Sequence, residues 1–179
     1  MISDYVKGKK KMDYPAEIRM GIDLHRDIDR FTDLHEATRT AKDIFRPDYR
    51  LYSGAIVDVI YDHFLAADEK VFSGSSLLTF TVQTYNRLDA YMGWFPDRFA
   101  MMYPYMKKQN WLLHYRTHQG TEKSLGGLAR RAAYMPDPGK AFRLFRDHYQ
   151  LLQDCYRHFW AAMHPFAAER FNALRPGDR

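Results

Sequence analysis

The sequence predicts one all-α domain, and three observations point there. Methionine, tyrosine and phenylalanine are plentiful while valine is scarce, a bias toward helix over sheet. Residues 16–32 sort into an apolar face and a charged face at the helical period of about 100° per residue. The one β-branched patch, T-F-T-V at 79–82, has no second strand in view to pair with. A chain of 179 residues suits a single core, and a hydrophobic content of 46% excludes a mostly disordered chain. We expect the domain to cover residues 1–172 and residues 173–179 to form a loose tail.

The elements follow from their punctuation. Residues 1–7 read as the end of a helix that Gly8 stops. Asp13 caps, and Pro15 opens, a helix reaching about Thr32. The next runs from Glu36 to Phe45 and ends before Arg46-Pro47, because a residue preceding proline avoids helical backbone. An apolar helix spans Leu51 to Ala67, and Ser73 to Met92 is helical in spite of T-F-T-V. Pro96 starts a segment that reaches Met106, and Lys108 to His118 forms a short helix. Thr121 to Ala133 is a helix weakened by Gly126 and Gly127, and residues 135–139, M-P-D-P-G, form a loop. A long helix runs from Lys140 to His164, with Pro165 as a kink.

Composition bounds the partners. The formal net charge is +5, and its clearest cluster is Lys7, Lys9, Lys10 and Lys11, with a second group at Arg130 and Arg131. Such clusters serve solubility or an acidic partner. Zinc-finger, RNA-binding and basic-zipper patterns are absent, so an acidic protein is favoured over nucleic acid. Cys155 is the only cysteine, which excludes an intrachain disulfide and a cysteine-based zinc site and fits a reducing cytoplasm. No apolar run approaches the roughly 20 residues of a membrane span, and the first residues lack the apolar stretch of a signal peptide.

Chemistry concentrates in two helices. On the first, Ile18, Ile22, His25 and Asp29 share one face, with Asp33 at its edge, while Arg19, Arg26 and Arg30 gather elsewhere. On the second, G-A-I-V-D-V-I-Y-D-H-F-L-A at 54–66 embeds Asp58, Asp62 and His63 among apolar residues. Asp58 and Asp62 lie one turn apart; His63 points about 100° away from Asp62, so both reach one site only if it lies between helices. Burying unpaired carboxylates is expensive, and a divalent cation would neutralise them and accept an imidazole nitrogen. Mixed Asp and His ligands suit manganese, iron or zinc better than magnesium. The competing reading is a buried polar network, with His25 donating to a carboxylate and Arg50 pairing with another. His114 and His118 lack the H-E-x-x-H context, His148 reads as a general acid or a core hydrogen-bonding group, and Cys155 has no nucleophile signature.

The blocks I-D-L-H-R-D-I-D-R-F-T-D and V-D-V-I-Y-D-H-F-L together resemble the bacterial acyl carrier protein phosphodiesterase family. The likeness continues in I-S-D-Y-V-K-G near the start, N-W-L-L-H-Y-R in the middle, and D-H-Y followed by F-W near the end. It implies an all-helical, non-standard branch of the HD phosphatase/phosphodiesterase superfamily. It also implies manganese-dependent hydrolysis of the phosphodiester joining 4′-phosphopantetheine to a serine of acyl carrier protein. By motif, the resemblance carries over Asp4, His25, Asp29, Asp62 and His63, with the Asp62-His63 order reversed relative to the superfamily. It further implies an opening segment of the N-F-L-A-H type, including a histidine, ahead of the block that holds Asp4; we expect that piece to be missing here.

The resulting expectation is an enzyme in which His25, Asp62, His63 and Asp4 hold Mn2+. Asp29 and Asp58 act on the attacking water, and Lys7, Lys9, Lys10 and Lys11 dock the acidic carrier protein. The rivals are an HD-type phosphohydrolase of nucleotides or small phosphate esters, and a non-catalytic helical binding module.

Overall fold

The computed structural model describes residues 2–72, 76–132 and 134–175, and among them no strand occurs. Two short 3-10 turns, Ser3–Tyr5 and Gly8–Asp13, lead into α1 (Ala16–Leu34) and α2 (Glu36–Tyr49). A third 3-10 turn, Arg50–Tyr52, enters α3 (Ser53–Ala67). Then come α4 (Ser76–Ala90), a 3-10 turn at Met92–Trp94, α5 (Asp97–Lys108) and the single turn α6 (Trp111–His114). The chain ends with α7 (His118–Arg131), α8 (Pro138–Asp147) and α9 (Tyr149–Leu174).

The all-α class holds, and the T-F-T-V patch is helical within α4. Several boundaries differ from expectation. The opening is two 3-10 turns rather than a helix end, and Gly8, at φ 55, starts the second turn instead of stopping the first. α2 does not end before Pro47 but passes it to Tyr49. One lost backbone bond near a helix end is offset by burial of Phe45 and Tyr49, and by the Tyr49 hydroxyl donating to the Asp137 carbonyl at 2.6 Å. The expected long helix is broken at His148 (φ −107°, ψ 21°) into α8 and α9, and α9 then runs unbroken past Pro165. The expected start at Ser73 and end at Ala133 lie outside the described residues.

Two apolar clusters build the body. The larger joins α2, α3, α7, α8 and α9 around Phe45, Ile56, Ile60, Leu125, Phe145 and Leu152, all fully enclosed. The smaller joins α4 and α5 around Tyr85, Phe99, Tyr103 and Met106, with Tyr5 and Trp111 against it. Helix α1 lies over the larger cluster through Phe31, whose ring stacks on Phe166 at 4.4 Å. Asp27 of α1 accepts two bonds from the Arg170 guanidinium of α9, at 3.0 and 2.6 Å. The space between the two clusters is where the polar residues of α1 and α3 emerge. No helix among the described residues is long and apolar enough to cross a membrane.

Candidate active site

The site starts from α1. His25 and Asp29 are one turn apart, and the Nδ1–H of His25 donates to Oδ2 of Asp29 at 2.9 Å. That bond leaves Nε2 with its lone pair, the atom a cation would take. Asp4 arrives from the first 3-10 turn, because Arg26 of α1 donates to the Val6 carbonyl at 2.7 Å and ties that segment down. Asp4, His25 and Asp29 thus offer donor atoms that all lie within 4.8 Å of one another. A cation about 2 Å from each ligand holds its donors within about 4 Å of one another, so small side-chain rotations suffice. One imidazole and two carboxylates form a donor set suited to a divalent ion of the manganese, iron or zinc type.

Asp58 and Asp62 of α3 face this cluster. Neither carries a hydrogen bond among the described residues. Asp62 lines a cleft of about 660 Å³ together with Asp4 and His25. It is reached by the water of that cleft while protein crowds it from the other sides. This crowding, with the nearby charge of Asp58, pushes the Asp62 carboxyl up to about 7. Asp58 is pushed up to about 6 by the same loss of solvent; the Lys42 ammonium opposes the shift, and the charges of Asp29, Asp33 and Asp4 add to it. Lys42 itself bonds Asp33 at 2.7 Å, which takes Asp33 out of the cluster.

His63 does not join them. Its ring is buried on the opposite side of α3, where Nδ1–H donates to the Tyr115 carbonyl at 2.8 Å and Nε2 accepts from the Tyr149 hydroxyl at 3.0 Å. Both nitrogens are occupied, and burial lowers the imidazole's pKa, so it is a neutral core histidine in this geometry and not a ligand. The cause is the 100° step between adjacent helical residues, which turns Asp62 to the cleft and His63 to the α7–α9 side. His148, a candidate acid or core hydrogen-bonding group, is exposed at the α8–α9 break. Arg50, the alternative carboxylate partner, is exposed and pairs with no acid among the described residues. Lys7, Lys9 and Lys10 are exposed just beyond Asp4, whereas Lys11 bonds Asp23 at 2.6 Å.

Three cleft residues escaped the sequence reading. Arg98 of α5 and Arg131 of α7 line the cleft, and neither pairs with a carboxylate among the described residues. Tyr115 also lines it, close enough to Asp62 for that charge, after loss of solvent, to help raise the phenol's pKa. The N-W-L-L-H-Y-R motif was the available signal for Tyr115, and the basic pair Arg130-Arg131 for Arg131; no local pattern marks Arg98. Against His25 on its other side lies a second, apolar pocket of about 360 Å³, between α1 and the segment 88–95.

Comparison with known proteins adds an independent observation. A family described as acyl carrier protein phosphodiesterase matches residues 1–163. A relative named acyl carrier protein phosphodiesterase from Yersinia pestis is 29% identical over 91% of this chain and 85% of its own length. One of the same name from Klebsiella pneumoniae is 30% identical over 91% of this chain and 85% of its own. One from Photorhabdus laumondii is 28% identical over 91% and 83%. No solved structure matches, so the HD-type kinship rests on motif resemblance alone.

Proposed function

The chain belongs to the acyl carrier protein phosphodiesterase family, a family of enzymes, and from that premise we propose that it hydrolyses the phosphodiester joining 4′-phosphopantetheine to a serine of acyl carrier protein. One observation carries the reading: a donor cluster of Asp4, His25 and Asp29 opens on a cleft whose walls hold Arg98 and Arg131 without carboxylate partners. Asp4 and His25, through Nε2, would hold the cation, Mn2+ by family resemblance, with Asp62 facing them. When bound, such an ion acidifies water and polarises a phosphoryl oxygen.

The chain's own groups do the rest. Arg98 and Arg131 bind the non-bridging phosphoryl oxygens, where charge grows as the bond to the leaving oxygen breaks. Asp62 takes a proton from the water that adds to phosphorus. The bond between phosphorus and the serine oxygen breaks, and that oxygen takes up a proton to restore the hydroxyl. Tyr115, kept protonated by its raised pKa, lines the same cleft. Asp29 holds the His25 ring in the tautomer that leaves Nε2 available. Loss of solvent, with the charge of the exposed Asp58 one turn away adding to it, keeps the Asp62 carboxyl basic enough to accept a proton near neutrality. The exposed Lys7, Lys9 and Lys10 beside Asp4 suit an acidic protein substrate.

The test is incubation of the purified chain with holo-carrier protein and manganese, with release of phosphopantetheine followed by mass spectrometry. Release, abolished in D62A, is the expected result. Turnover of small phosphate diesters with no release from carrier protein would sink the substrate assignment and favour a small-ester phosphohydrolase.

A further inference from the structure

The apolar pocket beside His25 has no part in the bond-breaking chemistry described above. Ile18 and Ile22 of α1 form one wall, and Leu88, Trp94 and Phe95 the other. Two features make it more than a gap in the packing. Gly21 sits within α1, where glycine weakens a helix, and a Cβ built there meets no atom within 4 Å, so this glycine opens space into the pocket. Ser3 also lines it; the residue is 8% exposed, and its hydroxyl is one of few polar groups on a mostly apolar lining.

Building on the proposed function, we propose that this pocket receives the pantetheine arm of the substrate. With the phosphate at the donor cluster, the two halves of the diester must leave in different directions. The wide cleft, which carries Asp4, Asp62 and two guanidinium groups without carboxylate partners on a largely apolar lining, suits the carrier protein side. The narrow apolar pocket shares His25 with that cleft, so a chain leaving the phosphate can enter it directly. The arm is thin, carries methyl groups, and is interrupted by amides; Ser3 offers a hydrogen bond to one of them. Its volume of about 360 Å³ is at the small end of ligand pockets and suits a single slender chain.

The experiment compares the full wild-type chain with Gly21→Ala and Gly21→Leu, whose longer side chain projects into the pocket. Leucine is a better helix former than glycine, so both variants should fold. Binding of free pantetheine, followed by tryptophan fluorescence and attributed with Trp94→Phe, should saturate with wild type and weaken at least tenfold in Gly21→Leu. The KM for holo-carrier protein should rise by a similar factor, far more than that for a small diester, with Gly21→Ala between. Equal pantetheine affinity in wild type and Gly21→Leu, or no pantetheine binding by wild type, overturns the pocket assignment. Pantetheine binding that Gly21→Leu abolishes, in a wild type that releases no phosphopantetheine, overturns the hydrolytic reading and leaves the pocket standing.

Discussion

Asp62 holds its proton to about 7 and Asp58 to about 6, against a usual value of 3.8. A folded-state value above the unfolded one means that the folded chain binds protons the unfolded chain has released. Stability from these two groups is therefore fully present below pH ~4 and is lost as pH rises through about 6 to 7. The metal-free protein should melt at lower temperature at about pH 7.5 than at about pH 5, with a smaller drop in Asp62→Asn. Manganese needs deprotonated ligands, so its stabilising shift should be larger at the higher pH. Thermal melts with and without manganese check both; equal manganese shifts at the two pH values would count against an ion held beside Asp62 and Asp58. His63 gives the opposite kind of residue. His63→Ala leaves the Tyr115 carbonyl and Tyr149 hydroxyl without partners and opens a void, a loss of about 3–4 kcal/mol in urea unfolding. The variant should keep its manganese shift; losing that shift while folded would restore His63 as a ligand. Much of this was legible in sequence, since helical spacing alone brings His25 to Asp29 and Asp58 to Asp62. Asp4 joins only through the Arg26 tether, and His63 leaves by one step of helix rotation, which spacing cannot weigh against packing.

At the level of elements, the junction of α6 and α7 shapes one wall of the cleft. Gly120 lies in the first turn of α7, and its N–H donates to the capping Thr117 hydroxyl at 3.0 Å. A Cβ at Gly120 would come within 1.8 Å of the His114 carbonyl oxygen, which is backbone and cannot swing aside. Gly120→Ala should therefore cost about 1–3 kcal/mol. Because Tyr115 follows His114 and both bonds His63 and lines the cleft, substrate KM should worsen as well. Urea unfolding and steady-state kinetics of this variant check the pair of effects; a variant as stable as wild type would refute the close approach. Helix existence was readable from periodicity and caps, but the ends were set by burial. Pro47 and Pro165 stay inside α2 and α9 because the buried residues around them hold the turns. The break at His148 carries no glycine or proline, and R-D-H-Y gives no local sign of it; it lets Phe145 and Leu152 both enter one core.

On the scale of the whole molecule, charge and chain order matter most. With a net charge of +5 and Lys7, Lys9 and Lys10 exposed beside the site, encounter with an acidic partner should be steered. Raising ionic strength from about 0.02 to about 0.5 M should lower kcat/KM for holo-carrier protein severalfold, with a smaller effect on the triple variant Lys7→Glu, Lys9→Glu, Lys10→Glu. A salt dependence identical in the variant would move the docking surface elsewhere. The Arg170–Asp27 pair has a consequence of another kind. It fastens the helix bearing His25 and Asp29 to a helix 143 positions further along the chain. On a ribosome, α1 emerges early but cannot find this clamp until nearly everything else has been made. Helix α1 is thus seated last, and a nascent chain halted before α9 would carry the cluster on a helix not yet fastened to the body.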